Sequence, residues 1–462
     1  MPGFHVENFG CRAARADAEA ISGHLRALHA HEPFAADVVV VNTCSVTAEA
    51  DRAARAYIRR THRRNPAAKI VVTGCYAQRA PEELAAIPGV AAVVGNSHKA
   101  LAAQIAQNLI RTDPESVAPP PTLVPVQSLF SPGVQLSAPV WVDDRFAHSF
   151  LEEVHLVPGR QTRPNLKIQE GCSNRCTFCV IPSTRGPSKS LPRAVVLRQV
   201  EAFVASGGKE LVLSGINLGR WGQDLSGSKK ETLAGLTRSI LEQTSLPRLR
   251  LSSIEPMDWN DELIALLRES GGSRIARHAH LPLQSGSDAV LRRMHRRYRP
   301  WHYADKVAAL LSAVPSLTLG ADVMVGFPGE TDREFEETIE FLRELPFGYL
   351  HLFPFSPRPA TPGWALHAAS PVALRVVTER MASLRALAAE KTRAHRARFV
   401  GNELPVITLH TPASLAEQGR TAALTDNFLP VELEGSFLAN QLAKVKIIEL
   451  SPENSLVGLR LQ

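Results

Sequence analysis

The chain has 462 residues with six cysteines, and its 52 Lys and Arg against 45 Asp and Glu give a formal net charge of +7. Apolar residues make up 44% and charged residues 21% of the sequence, which excludes wholesale disorder. Six cysteines are too few for the disulfide framework of a secreted domain. Neither a signal peptide nor an apolar run of about 18 residues is found. The sequence therefore predicts a cytoplasmic protein of about two to four domains, with no membrane span and with reduced thiols.

The first 111 residues alternate short apolar runs with amphipathic segments. Strands are predicted at 5–9, 38–41, 70–73 and 90–94, and helices at 16–28 and 48–64. Such alternation is typical of βαβ units and predicts an open parallel α/β sheet over residues 1–111. Residues 112–157 are rich in proline and are predicted to form a linker, with one strand or hairpin near 149–156.

A second alternation of strands and helices begins at Leu166. Its strands are predicted at 166–170, 210–214, 248–253, 278–282, 318–325 and 349–353. Six such units predict a partial β/α barrel over residues 158–390. A helix at 371–398 follows, and short β-type runs at 404–409, 431–433, 443–450 and 455–461 predict a small all-β barrel over 398–462. The fold class is therefore multidomain α/β.

The strongest motif comes directly after the first of these strands. Cys172, Cys176 and Cys179 have a C-x3-C-x2-C spacing. Three thiolates this close in sequence can hold one soft metal centre, an iron–sulfur cluster or zinc. A zinc ribbon needs two C-x2-C pairs and only one is present, so the spacing favours a cluster. A zinc site completed by a distant His, or plain buried thiols, are the alternatives.

The other three cysteines share one position relative to the predicted strands. Cys11, Cys44 and Cys75 each lie just beyond the carboxyl end of a strand. In a parallel sheet these ends lie along one edge, so the three thiols are expected to converge there. Any one of them alone is more typical of a small buried apolar residue. Together they predict a second three-thiolate site.

The C-x3-C-x2-C loop at the first strand of a six-stranded β/α unit resembles the radical S-adenosylmethionine (SAM) enzymes. Two three-cysteine sites followed by a small β-barrel resemble the methylthiotransferases. The resemblance implies two [4Fe-4S] clusters and SAM as cofactors, with SAM on the central cluster and sulfur delivered by the N-terminal one. It also implies an external low-potential electron donor and a sulfur source. The C-terminal barrel is then TRAM-like, as residues 419–421 and 425–427 suggest.

Several segments are similar to the subgroup that acts on threonylcarbamoyladenosine next to the tRNA anticodon. They are residues 213–219, 250–256, 280–288, 322–331 and 353–359. Ala14 and Ala360 depart from the family's usual Asn and Gly. The resemblance predicts conversion of threonylcarbamoyladenosine to its 2-methylthio derivative. The alternatives are isopentenyladenosine of tRNA or an aspartate of a ribosomal protein as substrate, and a non-catalytic RNA-binding iron–sulfur protein.

Three polar or small residues at predicted strand ends are further candidates. Gly215, Glu255 and Gln284 lie at the ligand-binding edge of the central sheet and are expected to contact SAM or the base. The alternative is that the two polar side chains only support the surrounding structure.

Clusters of basic residues fit contacts with RNA phosphates, and the resemblance implies that the tRNA anticodon loop is the partner. One stripe at helical spacing consists of Arg52, Arg55, Arg59 and Arg63, and a second cluster includes Arg293 and Arg297. A solvated helix face is the alternative for either group. From Phe399 onward, four Lys or Arg face seven Asp or Glu, so the charge of the C-terminal module does not favour RNA.

Overall fold

The computed structural model describes residues 2–25, 28–111, 138–146, 151, 156, 162–225 and 230–461. The chain divides into two compact units. The first comprises Met1–His155, Gln169–Lys189 and Ser356–Thr361, and the second comprises Leu156–Ile168, Ser190–Phe355 and Pro362–Gln462. The loop that carries the three central cysteines therefore belongs to the same unit as the three N-terminal cysteines.

The first unit contains a parallel sheet with the strand order β2-β1-β3-β4-β5-β6. Its strands are β1 (Gly3–Asn8), β2 (His29–Ala30), β3 (Val38–Thr43), β4 (Lys69–Gly74), β5 (Val90–Gly95) and β6 (Val140–Trp141). Its helices are α1 (Arg12–His24), α2 (Ala48–Arg64), α3 (Cys75–Arg79), α4 (Pro81–Ala85), α5 (Ala102–Arg111) and α6 (Ile181–Arg185). The valine-rich central strands are buried on both faces, as parallel sheets require.

All four strands predicted in this part are present, and α2 has the predicted bounds. Val140 and Trp141, which the sequence analysis assigned to the linker, instead form the sixth strand and pair in parallel with β5. Residues 112–137 lie outside the described part of the chain. The strand or hairpin expected near 149–156 also lies outside it, apart from residues 151 and 156.

The central part of the chain contains all six predicted strands and one short additional strand, β8. The strands are β7 (Asn165–Glu170), β8 (Lys189–Ser190), β9 (Glu210–Gly215), β10 (Arg248–Leu251), β11 (His278–His280), β12 (Thr318–Val325) and β13 (Phe347–Pro354). They form two sheets, of order β10-β9-β7-β8 and β11-β12-β13. An isolated parallel bridge pairs Leu249 of β10 with Ile275, which lies just before β11. Backbone hydrogen bonds also connect β10 and β11, from Ala276 N to Leu249 O over 2.9 Å and from Ile254 N to His280 O over 3.1 Å, as the expected partial barrel requires.

Helices alternate with these strands. They are α7 (Arg193–Ala205), α8 (Leu233–Gln243), α9 (Asp261–Ser270), α10 (Asp288–Arg293), α11 (Pro300–Ala313), α12 (Asp332–Glu344), α13 (Pro362–Ala369) and α14 (Leu374–Ala397). Local sequence sets several of their starts: Thr331 accepts a hydrogen bond from Glu334 N, and the Glu334 carboxylate accepts one from Thr331 N. This reciprocal capping fixes the first turn of α12. None of the described helices combines the length and the apolarity that a membrane span requires.

The C-terminal residues form a closed five-stranded barrel of order β14-β15-β16-β18-β17. Its elements are β14 (Glu403–Thr408), α15 (Ala413–Ala416), β15 (Arg420–Thr425), β16 (Pro430–Glu434), β17 (Leu442–Leu450) and β18 (Leu456–Arg460). Val406, Leu433, Val445 and Ile447 are fully buried in its core. The sequence analysis missed β15, whose small alanines give a weak β signal. The predicted fold class, multidomain α/β with a small C-terminal β-barrel, is confirmed.

The turn that joins β15 to β16 docks on the central sheets. Arg277 donates hydrogen bonds to both carboxylate oxygens of Asp426, over 2.5 and 2.8 Å. Arg250 donates to the carbonyl of Thr425 over 3.2 Å. The Phe428 ring lies 4.5 Å from that of His278. Residues 425–427, which suggested a TRAM-like module in the sequence, are thus buried within the second unit.

Candidate metal centres

The three N-terminal cysteines lie at the carboxyl ends of three neighbouring strands. Cys11 is the N-cap residue of α1 just after β1, Cys44 directly follows β3, and Cys75 begins α3 directly after β4. Strand pairing aligns these ends, because β3 lies between β1 and β4 and pairs with both in parallel. Cys44 and Cys75 are buried, whereas Cys11 is exposed.

Burial and the two neighbouring cysteines both disfavour the thiolate form of Cys44. Burial and the neighbouring Cys75 raise the pKa of Cys44 to about 12; Cys11 raises it further, while the hydrogen bond from Val46 N and the charge of Arg185 oppose the rise. A set of thiolates that repel one another needs positive charge among them. The irons of a cluster bound by thiolates supply that charge, so this donor set fits an iron–sulfur cluster.

Two buried side chains donate hydrogen bonds to the sulfur of Cys75. Arg185 Nε lies 3.3 Å from Cys75 Sγ, and Asn96 Nδ2 lies 3.4 Å from it. N–H groups directed at cysteine sulfurs tune the reduction potential of iron–sulfur clusters. The sequence analysis identified neither residue, because no local sequence pattern indicates that Arg185 or Asn96 contacts Cys75.

Arg185 also belongs to a buried network of four charges. Its guanidinium donates to both carboxylate oxygens of Glu170, over 2.7 and 2.9 Å, and to Asp17 over 3.3 Å. Lys99 Nζ donates to the same Asp17 oxygen over 2.8 Å. Each of these side chains is at most 5% exposed. Two cations and two anions balance, which is the condition under which buried charges are tolerated.

The central cysteines lie on the loop between β7 and α6, and all three are half-buried. Asn174 N donates to Cys172 Sγ over 3.4 Å, and Cys179 N donates to Cys176 O over 3.1 Å. Gly171 has a φ of 68°, and a Cβ there would lie 2.0 Å from Pro187 O, so only glycine allows this loop to leave the strand. Three thiols on one tightly folded loop fit a cluster with three protein ligands.

The three predicted strand-end residues differ in their surroundings. Gly215 ends β9. Glu255 is engaged by Arg296, whose Nη2 donates to both carboxylate oxygens over 2.6 and 2.8 Å. Gln284 is buried with a φ of 70°, and its Oε1 has no hydrogen-bond partner among the described residues. Of the two polar side chains, Gln284 therefore offers a free acceptor, while the charge of Glu255 is already compensated.

The two groups of arginines also differ. On α2, Arg52, Arg59 and Arg63 are exposed, and Arg55 is half-buried and donates to the Tyr76 hydroxyl over 2.5 Å. Arg52 pairs with Glu49 of the same helix, so Arg59 and Arg63 make up the exposed positive part of this face.

In the second group, both arginines are paired with acidic side chains. Arg293 donates to both carboxylate oxygens of Glu334 over 2.7 and 2.9 Å, and Arg297 lies 3.4 Å from Asp258. The charge of this group is therefore largely compensated within the unit.

Comparison with known proteins agrees with this division of the cysteines. The family described as the Radical SAM superfamily matches residues 166–342. Residues 3–95 match the family described as "Uncharacterized protein family UPF0004". The first match begins just before the central cysteines, and the second contains all three N-terminal cysteines.

Among solved structures, the radical SAM methyltransferase TsrM from Kitasatospora setae, with cobalamin and a [4Fe-4S] cluster bound, resembles this chain with a TM-score of 0.53 at 16% identity. The likeness covers 79% of this chain and 74% of that one. At this identity it shows a shared fold.

Curated relatives extend over nearly the whole chain. It is 36% identical to the "Threonylcarbamoyladenosine tRNA methylthiotransferase MtaB" of Bacillus subtilis (strain 168), over 90% of this chain and 86% of that protein. The protein of the same name from Aquifex aeolicus (strain VF5) is 35% identical over 89% and 91%. The "tRNA-2-methylthio-N(6)-dimethylallyladenosine synthase" of Erythrobacter litoralis (strain HTCC2594) is 31% identical over 99% and 97%. This chain therefore belongs to the radical SAM methylthiotransferases, the family that includes the MtaB proteins.

Proposed function

We propose that this enzyme converts threonylcarbamoyladenosine to its 2-methylthio derivative at the adenosine 3′ to the anticodon of tRNA. The observation that carries the proposal is the arrangement of all six cysteines in two sets of three within one compact unit. Five curated relatives whose names specify this activity, at 31–36% identity, support the choice of substrate.

Each set of cysteines has its own role in this proposal. Cys172, Cys176 and Cys179 hold the [4Fe-4S] cluster to which SAM binds, and Cys11, Cys44 and Cys75 hold the second cluster. When bound, SAM and the two clusters supply the radical that removes hydrogen from the base, and the sulfur and methyl group that are transferred. An aromatic C–H bond is beyond ordinary acid–base catalysis, so the protein's part is to bind, orient and exclude water.

Other residues position the reactants in this proposal. Gln284 offers SAM or the base its buried Oε1, which has no hydrogen-bond partner in the described part of the chain, and Gly215 lets a ligand approach the backbone at the end of β9. Glu255 acts by holding Arg296. The exposed arginines of α2 contact tRNA phosphates. An external low-potential electron donor and a sulfur source complete the set of partners, and the reaction takes place in the cytoplasm.

We also propose that the functional domains follow the boundaries drawn from the sequence. They are the N-terminal cluster domain at 1–111, the linker at 112–157, the radical SAM core at 158–390 and the TRAM-like barrel at 398–462. The strand at Val140–Trp141 adds a short segment of the linker to the first domain.

The proposal is tested by nucleoside analysis of tRNA from a strain that lacks this gene. We expect loss of the 2-methylthio derivative of threonylcarbamoyladenosine, and its return when the wild-type gene is supplied. Cys75→Ala and Cys179→Ala should not restore it. Ser183→Ala is the matched control, because Ser183 lies near the cysteine loop and its hydroxyl, among the described residues, bonds to the carbonyl of Val180, the N-cap residue of α6. An unchanged nucleoside profile in the deletion strain contradicts the proposed substrate.

A second measurement separates the enzyme from a non-catalytic iron–sulfur protein. The anaerobically reconstituted chain should bind about eight irons and cleave SAM to 5′-deoxyadenosine when a reductant is added. Cys179→Ala should abolish the cleavage and lower the iron content by about half. Full iron content without cleavage of SAM in the wild type contradicts catalysis.

A further inference from the structure

Three polar side chains outside both sets of cysteines meet on one face of the β11-β12-β13 sheet. His280 ends β11, Asp322 lies in the middle of β12, and His351 lies in β13 directly opposite Asp322. The opposite face of β12 carries Leu319, Ala321 and Val323, which are at most 1% exposed. The polar triad is therefore set apart from the apolar core of the sheet by the alternation of side chains along each strand.

The ligand atoms of the triad have separations that suit one metal ion. Asp322 Oδ1 lies 3.4 Å from His280 Nε2 and 3.2 Å from His351 Nδ1. Around an ion with bonds of about 2.1 Å, neighbouring ligand atoms lie about 3.0 Å apart in an octahedron and about 3.4 Å apart in a tetrahedron. The two imidazole nitrogens lie within 4.8 Å of each other. The His351 side chain is 54% exposed, so no close packing opposes the adjustment that shared coordination would require.

The orientation of the His280 ring supports the same conclusion. Its Nδ1 lies 2.7 Å from Ser253 Oγ, and this bond holds the ring in place. Its Nε2 is buried, makes no hydrogen bond of good geometry among the described residues, and faces the carboxylate. When Ser253 Oγ accepts the proton of Nδ1, the Nε2 lone pair faces the Asp322 carboxylate, an arrangement that a cation between the two atoms would stabilise. A partner on the far nitrogen is also what metal-binding histidines usually have.

We propose that His280, Asp322 and His351 bind a divalent transition-metal ion of the zinc and iron(II) class, separate from both iron–sulfur clusters. Two imidazoles and one carboxylate are a ligand set that such ions prefer over Mg²⁺ or Ca²⁺. Three protein ligands leave at least one coordination position open, and the half-exposed His351 gives that position access to a molecule in solution. This site does not depend on the proposed substrate.

Zinc is the probe for the test, with both clusters loaded so that the six cysteines are occupied. The full chain is dialysed anaerobically against Zn²⁺, and zinc and iron are counted in the same sample. We expect one zinc per chain. X-ray absorption at the zinc edge should show nitrogen and oxygen neighbours at about 2.0–2.2 Å and no sulfur at about 2.3 Å.

Variants assign the zinc to the triad. His351→Gln should lower zinc affinity at least about tenfold while leaving iron content unchanged, and its exposure makes misfolding a minor concern. Asp322→Asn should do the same. His410→Gln, at an exposed histidine of the C-terminal barrel, is the matched control and should bind like the wild type. Absence of bound zinc, zinc with sulfur neighbours, or equal binding by His351→Gln each overturns the proposal.

Discussion

Arg185 Nε donates a hydrogen bond to Cys75 Sγ over 3.3 Å, although the two residues are 110 positions apart in the sequence. Arg185 ends the helix that follows the central cysteine loop, and Cys75 belongs to the N-terminal set. One buried guanidinium therefore connects the segment that carries one set of cysteines to a member of the other. Its charge stabilises electron density on that sulfur, and with it the reduced form of a cluster bound there.

Replacement of this arginine should shift the reduction potential of the N-terminal cluster. Arg185→Lys keeps a positive charge beside Glu170 and Asp17 but removes the Nε donor. A hydrogen bond of about 1 kcal/mol corresponds to a decrease on the order of 40 mV for a one-electron couple. The potential is measured by EPR redox titration in a Cys172→Ala, Cys176→Ala, Cys179→Ala background, where only the N-terminal cluster remains.

Arg358→Lys is the control for this shift. Arg358 is 4% exposed and donates to Asp51 over 2.6 Å, and no bond from it to a cysteine is found among the described residues. Its substitution measures how far the reduction potential changes when a buried arginine of the first unit that does not contact a cysteine is exchanged for lysine. Equal potentials in Arg185→Lys and Arg358→Lys would rule out a specific role for the contact with Cys75.

The barrel turn at residues 425–428 offers a test of stability within the second unit. Asp426→Asn keeps the size of the side chain but leaves the charge of Arg277 uncompensated at a site where Asp426 is 1% exposed. Loss of one partner from a buried ion pair costs about 3 kcal/mol. Hydrogen-exchange mass spectrometry should therefore show faster exchange in β15 and β16. Glu432→Gln removes the partner of the more exposed Arg420 and should change exchange little.

Local patterns predicted the elements far better than they predicted the contacts. The bounds of α2 are set by neighbours in sequence, since Thr47 caps its first turn and basic residues fill its last. The strand β6 has only two residues and no pattern of its own, so its pairing with β5 depends on residues far away in the chain. The same holds for the contact of Arg185 with Cys75. Periodicity records which face of an element is buried and not which distant residue it meets.

The cysteines were an exception, because a rule of topology links distant positions. Parallel strands end at one edge, so three residues that follow three such strands can be placed together without a structure. For Glu255 and Gln284 the same rule predicted that they lie at the end of a strand, but it did not predict what their side chains contact. The bond of Glu255 to Arg296 and the left-handed backbone of Gln284 depend on the loops around them.

The exposed arginines of α2 should contribute to tRNA affinity. Arg59→Glu combined with Arg63→Glu should weaken binding of an anticodon stem-loop, because both side chains are exposed on one helix face. Each lost phosphate contact should also reduce the salt dependence, by about 0.7–0.9 in the slope of log K against log salt. Fluorescence anisotropy at several salt concentrations measures both effects. Arg333→Glu is the control, because the Arg333 side chain is 90% exposed on α12. If Arg333→Glu loses as much affinity as the double variant, the effect of the α2 substitutions is a non-specific effect of net charge.

His395 should make the second unit sensitive to acid. Burial lowers the pKa of His395 to about 4, and Arg398 and Arg396 add to the effect. In the unfolded chain the ring titrates at about pH 6.5, so the unfolded state binds the proton first as the pH falls. Stability is therefore complete above about pH 6.5 and decreases toward pH 4. Between pH 7.5 and 5.5 the loss should be about 1.4 kcal/mol.

His395→Gln isolates this contribution, because glutamine does not titrate and can still bond to Thr318 Oγ1, which lies 2.9 Å from His395 Nε2. Urea unfolding of wild type and variant is compared at pH 7.5 and pH 5.5. The variant is expected to be less stable at pH 7.5, where it lacks the packed imidazole that lies 5.2 Å from the Phe399 ring. The difference between the two proteins should then shrink by about 1.4 kcal/mol at pH 5.5, because only the wild type loses stability through this ring. A difference that stays constant between the two pH values would show that His395 is not the group that titrates.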